Sequence, residues 1–517
     1  MSRTADSAAG PVRPRVAKKE SSLGRGAAYT VGPQLATLVV GLIVSPYIVS
    51  KIGLTAFGFW SVLQAFLAFA QIGNGGFPAI AARLVASADA RGDRTTVREV
   101  FWVVVGASLG LAALMMLVAV GVVWAIPQSM ARSWPHGWDT AVVAATGALG
   151  LLMLSRSLGA IVQGHHRWDY DATVLTVSQL GWGVAIVLSL EAGLGLPGLA
   201  VGAATPAVIG LVGYGAAVYS LVGSVSRPTF PGQPVRDAFR KQTVDLQIVM
   251  FVAAVNAQAD RFLLLPFAPL SWVGAYALGS RMATALRSFP VAALAPAVAR
   301  GSAEYETGGI PAVRKLYDRL LRLVIGTGVA GLLGLYGAMF PAVLAWLGPS
   351  FTISATAALV LGVGYAVNLT TGPGTALSLA MGRSDLDRKY SLIGLGLNVA
   401  LSFPMGFAFG PWGVVAATGI GLSLSSAWLV WSIDGWLGSS WTHVFASDAQ
   451  AGLRLAVCGC VGAAAVSVAT AFPSEDRWFY LALAVAASGC TVVFLGLRPA
   501  AEYLEQRRLR RPSREAG

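Results

Sequence analysis

Long apolar runs separated by short polar loops dominate the chain. Examples are TLVVGLIVSPYIV (37–49), ASLGLAALMMLVAVGVVWAI (107–126) and LGLPGLAVGAATPAVIGLVGYGAAV (194–218). A bilayer core takes about 20 apolar residues to cross as helix. Backbone inside it must hydrogen-bond to itself, so helix is the expected element. The pattern predicts fourteen membrane-crossing helices, starting near residues 27, 57, 100, 139, 172, 196, 244, 270, 319, 353, 389, 411, 454 and 478. The expected class is an all-α polytopic membrane protein. Composition agrees: 55% of residues are hydrophobic, 12% are charged and mean hydropathy is +0.66, against about 25% charged in soluble domains. Cys458, Cys460 and Cys490 lie in late apolar runs and read as small core residues.

Basic residues assign the sides. The tail 1–26, RLVASADARGDRTTVRE, SRPTFPGQPVRDAFRK, ARGSAEYETGGIPAVRKLYDR, GRSDLDRK and EQRRLRRPSR alternate with loops that hold almost no basic residue beyond Lys51, Arg132 and Arg477. Both termini are therefore expected in the cytoplasm, with an uncleaved first span. The net charge of +13 is spread along that one face, which fits contact with anionic membrane lipids and carries no nucleic-acid motif.

The sequence also repeats. LTAFGFWSV (54–62) resembles LSWVGAYAL (270–278), and PAIAAR (78–83) resembles PAVAR (296–300). Gly164 pairs with Gly382, and GLPGLAVGAA (195–204) with GPWGVVAAT (410–418), all at offsets between 215 and 218. Six spans per copy is an even number, so the copies share one orientation and an axis along the membrane normal. The expected units are a tail (1–26), an N-lobe (27–222), a cytoplasmic linker (223–243) and a C-lobe (244–436). Two extra helices (437–497) and a basic tail (498–517) follow. Transporters built this way hold substrate between the lobes.

The repeated stretches carry a family resemblance. IGLTAFGFWSVLQAF, IGNGGFPAIAARLVA, ADRFLLLPFAPLSWVGAYALGSRM and LAMGRSDLDRKYSLIGLGLNVALSFPMGFAFGPWGVVAAT resemble the Wzx-type polysaccharide flippases of the multidrug/oligosaccharidyl-lipid/polysaccharide exporter superfamily. The resemblance spans about residues 20 to 436. It implies transfer of a polyprenyl-pyrophosphate-linked oligosaccharide across a bacterial inner membrane, with glycosyltransferases and a glycan polymerase as partners. It implies no cofactor. One departure is that no Asp or Glu lies between Glu20 and Asp89, and Gln71 stands where family members often carry an acid. That weighs against a drug–cation antiporter, the main alternative; a lipid II flippase is another. A membrane polymerase or ligase is disfavoured because the longest outer loop, PQSMARSWPHGWD, has no paired carboxylates.

The candidate site follows from charge in apolar surroundings. A charge at the bilayer centre costs about 2.5–3.5 kcal/mol on insertion scales. NAQADRFLLLPF (256–267) nevertheless holds Asp260 and Arg261. At about 100° per helical residue, Asn256 lies about 20° and Asp260 about 60° from Asp245. Arg281 sits roughly 16 Å from the outer end of its helix, and Arg287 lies deeper toward the cytoplasm. Asp260 and Arg281 form either a packing ion pair or a unit in which Asp260 orients Arg281 toward pyrophosphate, whose oxygens match the guanidinium fork. Asp245 and Asp260 are the candidates for proton or sodium coupling. Arg156, Gln71 and Asn74 complete the candidate substrate contacts, the last two in a stretch, QIGNGGFPA, that reads as a broken helix. The repeat mates of Asp260 and Arg281 are Val44 and Ala65, so the charge is confined to one lobe. No metal site is expected.

Overall fold

The computed structural model describes residues 23–509 apart from 75, 128, 130, 131, 133, 224–229, 295, 441 and 443–448. Residues 1–22, part of the expected linker, residues 510–517 and the side chain of Asp245 lie outside the described residues. The described chain is helical: α1 (Leu23–Ala70), α2 (Phe77–Arg91), α3 (Arg94–Ala125), α4 (Trp138–Gly164), α5 (Trp168–Glu191), α6 (Gly195–Val222), α7 (Gln233–Leu264), α8 (Leu270–Ala293), α9 (Pro296–Leu323), α10 (Ala330–Leu347), α11 (Thr352–Asn368), α12 (Thr371–Ala380), α13 (Ser384–Phe409), α14 (Pro411–Leu437), α15 (Ala449–Ala471) and α16 (Arg477–Leu509).

Ten described segments are long and apolar enough to cross a membrane, or eleven if α11 and α12, bent by 46°, form one span. Length and apolarity alone therefore do not establish the expected fourteen. Two of the ten, Gly32–Ala70 with 39 residues and Arg300–Leu347 with 48, contain a glycine with non-helical dihedrals: Gly53 (φ 77, ψ 164) and Gly309 (φ 60, ψ −157). Gly410 has similar angles (φ 63, ψ −148) and turns α13 back onto α14. An L side chain rarely adopts such angles.

Two bundles share one packing pattern. α1 packs on α5 as α7 packs on α13, α3 on α4 as α10 on α11, and α4 on α6 as α11 on α14. α15 and α16 pack on α10, where a Cβ on Gly337 would stand 2.1 Å from Gly462 Cα. The repeat also reaches the backbone. The Arg167–Asp169 pair (3.1 Å) recurs as Arg383–Asp385 (2.9 Å). Each follows a left-handed residue, His166 (φ 59) and Gly382 (φ 73). His166, not Gly164, is therefore the partner of Gly382, and histidine conceals the match in the sequence.

The bundles meet at repeat mates. A Cβ on Gly58 would lie 1.8 Å from Leu270 O, and one on Gly274 would lie 2.5 Å from Leu54 O. A patch that contacts its own counterpart in this reciprocal way requires a two-fold axis between the two copies. At the opposite end α7 crosses between bundles. Its Val235 and Phe239 are buried with Ile80, Val97 and Val218, whereas Leu264 is buried with Val273 and Tyr336.

Gly58→Val and Gly274→Val should each lower the thermal midpoint of the purified protein, by an overpacking cost of about 1–3 kcal/mol. Gly41→Ala, on the same helix as Gly58 but with nothing within 4 Å of its Cβ, should be neutral or stabilising.

Candidate functional site between the lobes

α8 lies against α1 along the lobe boundary. Arg281, on α8, is exposed there and donates from Nη1 to Ser45 Oγ on α1 at 2.9 Å. The guanidinium of Arg261 is close enough to repel it. Arg261 itself is half-buried and donates to Gln258 Oε1 one turn back. Neither guanidinium has a carboxylate within ion-pair distance among the described residues.

Asp260 is occupied elsewhere. Its Oδ2 accepts from Tyr276 Oη at 2.5 Å, and its Oδ1 from Asn398 Nδ2 at 3.0 Å and Thr418 Oγ1 at 2.8 Å. Ser402 donates to Asn398 Oδ1 at 3.0 Å. This nest joins α7, α8, α13 and α14 inside the C-lobe. It corrects two of the three sequence-based readings of Asp260, since the acid neither pairs with Arg281 nor orients it; the coupling reading is not touched by this. Hydroxyl and amide groups replace the expected arginine as the compensation that a carboxylate withdrawn from water needs.

Arg287 lies deeper in the same lobe. Its Nη2 donates to Asn368 Oδ1 at 2.5 Å, its guanidinium stands 4.9 Å from the Tyr365 ring centroid, and its Nε is buried without a hydrogen-bond partner among the described residues. Asn368 ends α11 at the 46° bend and also donates to Tyr390 Oη and to Ser426 Oγ. Arg287 is thus fixed to the break in that helix. Asn256 is exposed and donates to Ser391 O at 3.3 Å.

The N-lobe candidates lie on α4 and in the turn before α2. The break in QIGNGGFPA is a short 3-10 turn, Gln71–Asn74, before α2. Gln71 is exposed, but Asn74 is buried, donates to Met153 O at 3.5 Å and accepts from Ser108 at 3.4 Å. Asn74 therefore holds the broken helix to α3 and α4. Arg156 is exposed on α4, and its charge is felt by Tyr214, which donates to Asp171 at 2.7 Å. The structure brings Asp260, Arg261, Arg281 and Arg287 into one neighbourhood, sets the Gln71–Asn74 turn against α7, and keeps the bonds of Asn74 and the charge of Arg156 within the N-lobe. Of the cysteines, only Cys458 is buried; Cys460 and Cys490 are exposed.

A profile of polysaccharide biosynthesis proteins matches residues 23–301. The chain belongs to that family. No curated protein matches it in a direct sequence search. Among solved structures, this polysaccharide biosynthesis protein is similar to the lipid II flippase MurJ in an inward closed conformation, with a TM-score of 0.66 at 11% identity, covering 92% of this chain and 99% of that one. It is also similar to an inward-facing multidrug resistance MATE family transporter, with a TM-score of 0.60 at 13% identity over 78% of this chain and 95% of that one. A point mutant of the Vibrio cholerae MATE transporter VcmN gives 0.55 at 16% identity over 83% of this chain and 97% of that one. These likenesses show that the chain shares the all-helical fold of MurJ and the MATE transporters.

Sequence reasoning missed Ser45, Tyr276, Asn398, Thr418 and Asn368 in this family member. Two left a readable trace: Asn398 in LIGLGLNVAL and Asn368 in YAVNLT are lone amides in apolar runs, where a polar group needs a buried partner.

Because Asp260 and Arg281 bind different partners, the effects of Asp260→Asn and Arg281→Gln on stability should be independent. A double-mutant cycle on thermal stability should give a coupling below about 0.5 kcal/mol. A coupling of several kcal/mol would restore the ion-pair reading.

Proposed function

We propose that the protein moves a polyprenyl-pyrophosphate-linked oligosaccharide across the bacterial cytoplasmic membrane by alternating access of its two lobes. One observation carries the reading: Arg281 is exposed between the lobes, beside Arg261, with no carboxylate on either among the described residues. Arg261 feels the neighbouring Asp260 carboxylate, which leaves Arg281 as the guanidinium without a nearby acid. An unpaired guanidinium in a low-dielectric site is costly, and an anionic ligand offsets that cost. The guanidinium fork suits phosphate oxygens. The chain holds no acid between Glu20 and Asp89, and the one N-lobe carboxylate seen to bond α1 among the described residues, Glu191, is taken up by Lys51 and Tyr47. The same lack disfavours a cation-exporting alternative.

Arg281 is the first phosphate contact in this scheme, Arg261 adds charge, and Arg287 stiffens the bend in α11 behind them. Asn256 and Gln71, both exposed, are the hydrogen-bonding groups for sugar, and Arg156 is the contact for an entering headgroup. Asp260, ringed by Tyr276, Asn398 and Thr418, is the group that exchanges a proton or a monovalent cation during the cycle, with Asp245 as its companion on α7. The basic loops assign the termini to the cytoplasm and the Gly53 turn to the outside, and the same loops rest on anionic lipid. A glycan polymerase and glycosyltransferases are the partners that make and use such a substrate. No enzymatic activity is proposed.

In cells that depend on this protein for glycan export, Arg281→Ala should cut the lipid-linked oligosaccharide reaching an impermeant lectin by about tenfold or more, the loss expected for one charge-assisted contact of about 1.5–3 kcal/mol. Membrane abundance should be unchanged. Arg281→Lys should recover only part, because an ammonium lacks the planar fork. Wild-type export by Arg281→Ala would overturn the proposal.

A further inference from the structure

α1 carries two prolines inside its first arm, Pro33 and Pro46, and the second concerns the lobe boundary. Proline has no N–H, so the carbonyl four residues earlier loses its helical partner. That carbonyl is Leu42 O. It accepts instead from the indole Nε1 of Trp346 at 2.7 Å, across a sequence separation of 304 residues. Trp346 belongs to α10, in the C-lobe, and packs against the cluster that includes Val40, Val44 and Leu344. One turn along α1 from Leu42, Ser45 takes the hydrogen bond from Arg281. Ser45 also donates to Gly41 O at 2.6 Å, which orients its oxygen lone pairs toward the arginine.

We infer that Pro46 and Trp346 form a latch that holds the lobes together at the Gly53 end. The proline creates a free acceptor on the N-lobe, and the indole of the C-lobe occupies it only while that end is closed. Opening must leave the carbonyl without a partner or hand it to water, so the bond adds to the barrier. Arg281 and Ser45 make the second cross-lobe bond from the same turn of α1, and an anion that takes the guanidinium removes it. Substrate therefore releases one of two bonds and leaves the Trp346 bond as the last to break. The substrate step rests on the flippase reading; the latch itself does not.

The test uses the full-length chain in nanodiscs, with Cys458, Cys460 and Cys490 changed to alanine and spin labels at Thr55 and Leu265. Electron–electron distance distributions are recorded without substrate. Trp346→Phe keeps an aromatic ring and removes the donor. Pro46→Ala restores an N–H that competes for Leu42 O. Each should raise the ratio of long to short inter-lobe distances about two- to tenfold, the worth of one neutral hydrogen bond. The double variant should match either single one, since both remove the same bond. If Pro46→Ala does not yield folded protein, Trp346→Phe alone decides, and an unchanged distribution overturns the latch. Additive effects would also overturn it, because Pro46 would then act by bending α1 rather than by freeing its carbonyl. Either failure leaves the export result for Arg281→Ala untouched, so the two readings stand or fall separately.

Discussion

Backbone packs on backbone where α1 meets α8, and the rest of the site depends on that approach. Gly58 and Gly274 have no side chain to hold the helices apart, and each faces a carbonyl of the opposite lobe, Leu270 O and Leu54 O. The contact maps onto itself under an offset of 216 residues. It closes the lobes at the Gly53 end. It also brings α1 near enough for Ser45 to reach Arg281. Side chains with a Cβ there would separate the lobes and leave Arg281 without its partner. Small residues that let helix backbones touch are the usual means of association in lipid, where apolar surface gives no driving force.

The two lobes share a fold but divide the chemistry. The N-lobe supplies close packing, a pinned break at Asn74 and an acid-free α1. The C-lobe supplies Arg261, Arg281, Arg287 and the carboxylate nest of Asp260. The repeat mates of Asp260 and Arg281, Val44 and Ala65, are both buried. The charged members of the pair are therefore extra to what the fold needs, which is the physical reason to assign them a ligand.

Much of the architecture was legible in the chain. Long apolar runs marked the helices, and LTAFGFWSV with LSWVGAYAL marked the repeat, because glycine contacts on a symmetry axis constrain both copies alike. The His166–Gly382 equivalence was not legible, since histidine in a left-handed position leaves no glycine to align. The spans expected from the sequence break next to Gly53 and Gly410. Length and apolarity of the described helices give ten or eleven spans instead, because Gly53 joins two arms into one helical run and α7 carries charges that lower its apolarity. At the site, sequence reasoning found the charged residues and mispaired them. Opposite charges on adjacent helices invite an ion pair, but Asp260 is held by neutral groups, two of them 138 and 158 residues away. Nothing local in the sequence encodes that distance.

The central claim is that the unpaired guanidinium of Arg281 between the lobes selects a lipid by its pyrophosphate. The most direct measurement is the affinity of the purified protein for a polyprenyl pyrophosphate and for the uncharged polyprenol of equal length, at low and high salt. The expected result is at least about tenfold tighter binding of the pyrophosphate, shrinking as salt screens the charges. Equal affinity for the two lipids at both salt concentrations would contradict the account.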